Sequence, residues 1–180
     1  MRLILIVLTV VMTGVFAHAN PLEEAIQIVL QSIQQQDHDT NTLLEHPDWF
    51  LPSHDRDGIL ARAHNPLNQP FVTLADNANR TPVGIALLHG LSDGPYFMRE
   101  LSEIAEGYGA NSGALVLPGH GISIEALTTR QIANFQRWYD VGKDSFKLAQ
   151  QLGHKKIGIG YSTGGAILID DAIERALQNS

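Results

Sequence analysis

The sequence predicts an α/β protein built on a doubly wound, mostly parallel sheet. Two observations carry this. From residue 83 onward, short apolar runs alternate with stretches of helical periodicity, in the order strand, helix, strand, helix, strand, helix. The apolar runs are continuous, as in strands covered on both faces. Parallel strands joined by helices set those helices on both sides of one sheet.

Residues 1–19, MRLILIVLTVVMTGVFAHA, carry one charge, Arg2, then an apolar run over residues 3–11 that weakens toward Phe16. Ala17-His18-Ala19 is a small-x-small cleavage site. This is the pattern of a secretory signal peptide, with cleavage near Ala19 and a secreted or periplasmic product. A membrane anchor is the alternative, but the uninterrupted run is shorter than the roughly 20 residues that span a bilayer. No stable membrane insertion is expected after cleavage.

Residues 20–70 are expected to form an N-terminal arm or cap. Leu22, Ile26, Ile28, Val29 and Ile33 give residues 21–33 one apolar side, as in a short amphipathic helix. The polar run QQQDHDTNT follows, and reads as solvated and mobile. Its Asp37-His38-Asp39 cluster lacks the rigid frame a metal site needs. Trp49, Phe50 and Leu51 then offer a few large side chains for packing.

Residues 71–180 are expected to form the α/β domain. Residues 71–74 suit an edge strand and 77–82 a turn. Residues 83–88 form a buried strand ending at His89-Gly90. A helix follows over 95–108, through Phe97, Leu101, Ile104, Ala105 and Tyr108, its end bracketed by Gly109 and Gly113. Residues 114–117 are the next strand, ending in Pro118-Gly119-His120-Gly121. The longest helical region spans 132–152, with Gly142 at a bend or break and Gly153 placed as a C′ cap. Residues 156–160 are a third strand. Residues 164–177 are a helix, through Ile167, Leu168, Ala172, Ile173 and Ala176.

Composition narrows the function. The 180 residues are 44% hydrophobic, with 16 Gly and 8 Pro, as in a globular chain rich in turns. There is no cysteine, which removes thiol nucleophiles, disulfides and Cys-based zinc sites. The formal charge is -7 and no basic patch stands out, so nucleic acid is not an expected partner.

The strongest motif is Gly160-Tyr161-Ser162-Thr163-Gly164, a match to G-x-S-x-G. It directly follows the strand KKIGIG and directly precedes a helix, the context this motif requires. A chain that turns from strand to helix in so short a distance is strained at Ser162. It needs glycine at positions 160 and 164. The turn lifts the Ser162 hydroxyl into solvent and aims the Thr163 amide toward a developing oxyanion, assisted by the helix dipole. An ordinary Gly-Ser turn, with Ser162 as a simple N-cap, is the plainer alternative.

With LLHGLSDGPYFMREL, ALVLPGHG, the Trp138-Tyr139-Asp140 triplet and GIGYSTGGA, the chain resembles the α/β-hydrolase superfamily. The similarity is to its carboxylesterase and monoacylglycerol-lipase-like (serine aminopeptidase-like) branch, over residues 83–180. The resemblance implies Ser162 as nucleophile and the amides of Leu91 and Thr163 as oxyanion donors. His89, Gly90, Gly160, Gly164 and His120 would support the motif, with both histidines structural. It implies a small-molecule ester or lipid substrate and no metal or organic cofactor. Asp93 would order its loop, and Asp140 would cap or solvate its helix.

A serine hydroxyl needs a histidine to take its proton and an acid to orient that histidine. In this resemblance the acid and histidine follow the serine along the chain. After Ser162 come only Asp170, Asp171 and Glu174, all within the last helix, and no histidine. The expectation is therefore a fold of the α/β-hydrolase type that stops after the nucleophile helix. It would be a secreted ester hydrolase when complete. The alternatives are an inactive fragment, a half-domain completed by a partner, or a binding module.

Overall fold

The computed structural model describes residues 20–49, 56–76 and 79–178. The expected signal peptide, Phe50 and Leu51, and part of the expected 77–82 turn lie outside the described residues.

A four-stranded sheet has the order β1-β3-β2-β4. Its strands are β1 (Phe71–Thr73), β2 (Thr81–Leu88), β3 (Asn111–Leu115) and β4 (Gly153–Gly160). β1 runs antiparallel to β3, whereas β3 and β4 flank β2 in parallel. The sheet is therefore mixed and mostly parallel. β3 lies to one side of β2 and β4 to the other, so the order of connections switches between β2 and β4, and such switch points open a crevice beyond the carboxyl ends of the strands.

Side-chain alternation along β2 explains its continuous apolar run. Ile85 and Leu87 pack with Met98 and Ala105, on the side of α3 (Arg99–Gly107). Leu88 faces the other way, onto Trp138, Ile167 and Leu168. Those residues belong to α5 (Phe135–Leu152) and α6 (Thr163–Gln178). Helices thus cover both faces of β2.

The N-terminal arm differs most from expectation. α1 runs from Pro21 to Leu44, straight through the polar run expected to be solvated. Asn20 caps it, its side chain accepting from the Leu22 amide at 3.1 Å. Gln36, Asp39 and Thr40 of the polar run are buried. Asp39 Oδ1 meets Arg137 Nη2 at 2.8 Å. The helical period therefore continues past Ile33, written in polar residues.

Nor is the arm a separate layer. Leu22, Ala25 and Val29 pack with Leu115, Leu148 and Leu152. At its other end, Leu43 and Leu44 share a cluster with Ile59 of α2 (Arg56–Ala63) and Ala126 of α4 (Ile124–Thr128). Trp49 packs against that cluster.

Three glycines have roles other than those expected. Gly153 has φ -150°, so it is no left-handed cap; it begins β4. A Cβ there would lie 1.8 Å from the Gly84 nitrogen, so β2 and β4 meet at a contact only glycine allows. α5 is unbroken at Gly142, where a Cβ would sit 2.6 Å from Ile167 Cγ2; that glycine lets α6 approach. Gly113 lies inside β3, not at a helix end. α5 starts at Phe135, later than expected, because Asn134 caps it by accepting from the Arg137 amide.

β4 is an edge strand, paired with β2 alone among the described strands. Ile157 is 45% exposed, and Ile169, Ile173 and Leu177 of α6 also face outward. Among the described residues, no helix is long and apolar enough to cross a membrane.

Candidate active site

Ser162 occupies the junction between β4 and α6 and is exposed. Its φ is 50°, in the left-handed region that costs an L-residue about 1–2 kcal/mol. The surroundings hold it there. The Tyr161 amide donates to the Leu88 carbonyl at 3.0 Å, tying the turn to the end of β2. The Gly164 amide donates to the Tyr161 carbonyl at 3.0 Å, and the Ala166 amide to the Ser162 carbonyl at 3.1 Å. A Cβ on Gly164 would lie 2.3 Å from the Leu88 oxygen, and one on Gly160 would lie 2.4 Å from the Gly165 nitrogen. The ends of β2 and β4 and the first turn of α6 thus interlock. Thr163 is the first residue of α6, so its N–H belongs to the turn that has no intrahelical acceptors.

Leu91 follows β2 in a tight turn and is 54% exposed. The Asp93 amide donates to the Gly90 carbonyl at 3.3 Å, and Ser92 has φ 64°. A Cβ on Gly90 would lie 2.9 Å from the Tyr161 ring. The loop carrying Leu91 therefore abuts the residue before Ser162.

His89 is fully buried and both its ring nitrogens are engaged. Nδ1–H donates to the Gly90 carbonyl at 2.9 Å, while Nε2 accepts from the Leu117 amide at 3.1 Å. That pair of bonds fixes the neutral tautomer. Burial pushes its pKa down to about 3, and nearby His120 pushes the same way, against the bond to Gly90. No lone pair remains for Ser162.

His120 is also buried, its ring 5.0 Å from His89 and 5.2 Å from Trp138. Its Nδ1–H donates to the Pro118 carbonyl at 3.1 Å, which also accepts from Trp138 Nε1–H at 3.0 Å. Nε2 makes no hydrogen bond. Burial holds the imidazole below its ordinary pKa.

The remaining described histidines are elsewhere. His154 is the second residue of β4, at the end opposite Ser162. His46 stacks on Trp49 at 4.0 Å, and His64 faces Asp37 at 3.7 Å. His38 lies within α1. Asp170, Asp171 and Glu174 all lie on α6; Asp171 pairs with Arg175 at 2.5 Å and Glu174 with Lys143 of α5 at 3.7 Å. Asp140 accepts from Gln136 on the exposed side of α5. No group of three or more possible metal ligands occurs among the described residues. A groove of about 240 Å³ lies between α1 and α5, beside Ser32, Gln35 and Arg137, and Ser162 does not line it.

Sequence reasoning brought out Ser162, Thr163, Leu91 and the two loop histidines. It read Asp39 as solvated and did not single out Arg137; the two meet in a buried ion pair. The seven-residue step from Leu22 to Val29, Gln36 and Leu43, which carries the helical period through the polar run beside Asp39, was the available clue.

No protein-family model matches the chain, and no curated protein matches it. Among solved structures, one match belongs to work on LipS and LipT, two metagenome-derived lipolytic enzymes. The two chains are 20% identical, with a TM-score of 0.48, over 57% of this chain and 38% of that one. The match thus spans well under half of that structure's length.

Proposed function

We propose that this chain bears the nucleophile and oxyanion half of a serine ester hydrolase of the α/β-hydrolase type. The described residues act as a half-domain, inert alone, and the acid and histidine come from elsewhere. The observation that supports this is Ser162, held left-handed and exposed between β4 and α6, with Gly164 seated on the end of β2. A strained, solvent-facing serine at the start of a helix is a costly arrangement for a mere turn.

On this reading, Ser162 Oγ attacks the carbonyl carbon of a small ester and its proton passes to the incoming base. The carbonyl oxygen becomes an oxyanion between the amides of Leu91 and Thr163. The C–O bond breaks, the alcohol leaves with a proton, and water then cleaves the acyl-serine. His89 stays outside the proton path, because both its nitrogens are occupied.

Imidazole in solution can stand in for the missing base. Without it, a fluorophosphonate should label the chain no faster than it labels Ser162→Ala. Added imidazole should speed labelling of Ser162 by at least about tenfold, below the 10²–10⁴ of a positioned base because a free base lacks orientation. Intact-protein mass spectrometry reads the adduct. Labelling that ignores imidazole, or that persists in Ser162→Ala, would remove the hydrolase reading and leave a binding role. We also propose export: the amino terminus of the protein from its own cells should then be Asn20.

A further inference from the structure

We propose that Asp39, on the N-terminal helix, is a positioning residue for the Leu91 amide. The proposal rests on reading that amide as an oxyanion donor. Asp39 is 2% exposed and meets Arg137 Nη2 at 2.8 Å and Gln35 Nε2 at 3.1 Å. Its Oδ2 makes no hydrogen bond, although the backbone of Gly119 lies near enough to favour the charged carboxylate. A buried ion pair is a poor device for stability alone, since apolar side chains of the same volume often do as well. What it supplies here is a fixed direction.

Arg137 and Trp138 are neighbours in the first turn of α5. Arg137 also donates to the Ile132 carbonyl, so the ion pair locks that turn to the segment before it. Locking the turn sets the Trp138 indole, whose N–H holds the Pro118 carbonyl at 3.0 Å. The same carbonyl takes the His120 Nδ1–H, and the His120 ring packs against that of His89, 5.0 Å away and tilted by 53°. His89 in turn bonds the Leu117 amide and the Gly90 carbonyl.

The last link is covalent. The Gly90 carbonyl and the Leu91 N–H belong to one planar trans peptide, so they point in opposite directions. A donor that fixes the carbonyl also fixes the N–H, and aims it away from the His89 ring. A second donor, the Asp93 amide, clamps the same carbonyl. One continuous buried network therefore joins the N-terminal arm to the Leu91 amide.

The test compares the full chain with Asp39→Asn, which keeps the shape and removes the charge. Asp144→Asn is the control; Asp144 sits on α5, the helix of Arg137, and pairs with Lys147 in solvent. Three readouts are taken: ¹⁵N resonances of the histidine rings and the Leu91 amide, imidazole-assisted phosphonate labelling of Ser162, and the thermal midpoint. Asp39→Asn should shift the His89 ring and Leu91 amide signals and slow labelling roughly tenfold, while the control changes neither. A lowered midpoint with unmoved His89 and Leu91 signals would overturn the proposal, leaving Asp39 a structural residue. Shifted signals with no labelling in the parent would keep the coupling and sink the hydrolase reading instead. If Asp39→Asn does not fold, Trp138→Phe, which loses the indole N–H with its five-membered ring but keeps an aromatic side chain, is judged by the same signals.

Discussion

Gly164→Ala is expected to cost about 3 kcal/mol or more of folding stability, at or beyond the upper end of ordinary overpacking. The added methyl would lie 2.3 Å from the Leu88 oxygen and 2.4 Å from the His89 oxygen. Both atoms are backbone. Leu88 ends a strand paired with Leu115 on one side and Gly160 on the other, so it has nowhere to retreat. The neighbouring position provides the contrast. A Cβ on Gly165 would lie 3.1 Å from the Gly160 oxygen, a tight contact that a shift of a few tenths of an ångström relieves. Alanine also gains about 1 kcal/mol over glycine within a helix. Gly165→Ala should therefore stay within roughly 1 kcal/mol of the parent. Urea unfolding of the three proteins decides the matter. A Gly164→Ala midpoint equal to the parent's would mean that α6 does not seat on β2 as described.

The second large effect is on the acid side. His89 has a pKa near 3 in the folded chain and about 6.5 when unfolded. Above pH 6.5 both states are neutral there, and its contribution to stability is fully present. As pH falls below 6.5 the unfolded chain takes up a proton that the folded chain refuses. Stability then declines by about 1.4 kcal/mol per pH unit, toward a total of roughly 5 kcal/mol near pH 3. His120, lowered chiefly by burial, adds to the decline. Asp39 works in the opposite direction. Burial outweighs Arg137 and raises its pKa, so its contribution is greatest below the unfolded carboxylate range and is lost as pH rises through the folded value. Between pH 6.5 and 4.5 the histidines should dominate. Urea unfolding across that range should show the fall for the parent and a flatter curve for His89→Asn. That variant should also start about 1–3 kcal/mol lower at neutral pH, because a buried group at Leu117 or Gly90 loses its partner. Equal slopes for the two proteins would count against a neutral buried His89.

What could be read in the sequence was whatever depends on neighbours along the chain. The strand ending at Gly160, the turn at Ser162 and the helix beyond it leave a local pattern, because close approach at that turn excludes side chains. β2 was legible because both its faces are apolar. The far half of α1 was not, because its buried side is Gln36, Asp39 and Thr40, and hydropathy alone reads those as solvent. Gly142 and Gly153 were visible as glycines, but what presses on them comes from α6 and β2, far away in sequence. The roles of His89 and His120 are set by which carbonyls and amides face their rings. No spacing rule encodes that.

The pairing of β4 also has a consequence for the order in which the molecule assembles. β4 aligns with β2 from Thr81 opposite Gly153, roughly 70 residues apart, whereas β2 and β3 close a much shorter loop. Longer loops cost more entropy to close, and distant pairings form later than near ones. During synthesis β1, β2 and β3 leave the ribosome first, and the left-handed serine has no support until β4 emerges and docks. The left-handed geometry of Ser162 is thus a late acquisition of the folding chain, reached only when the last described strand is in place.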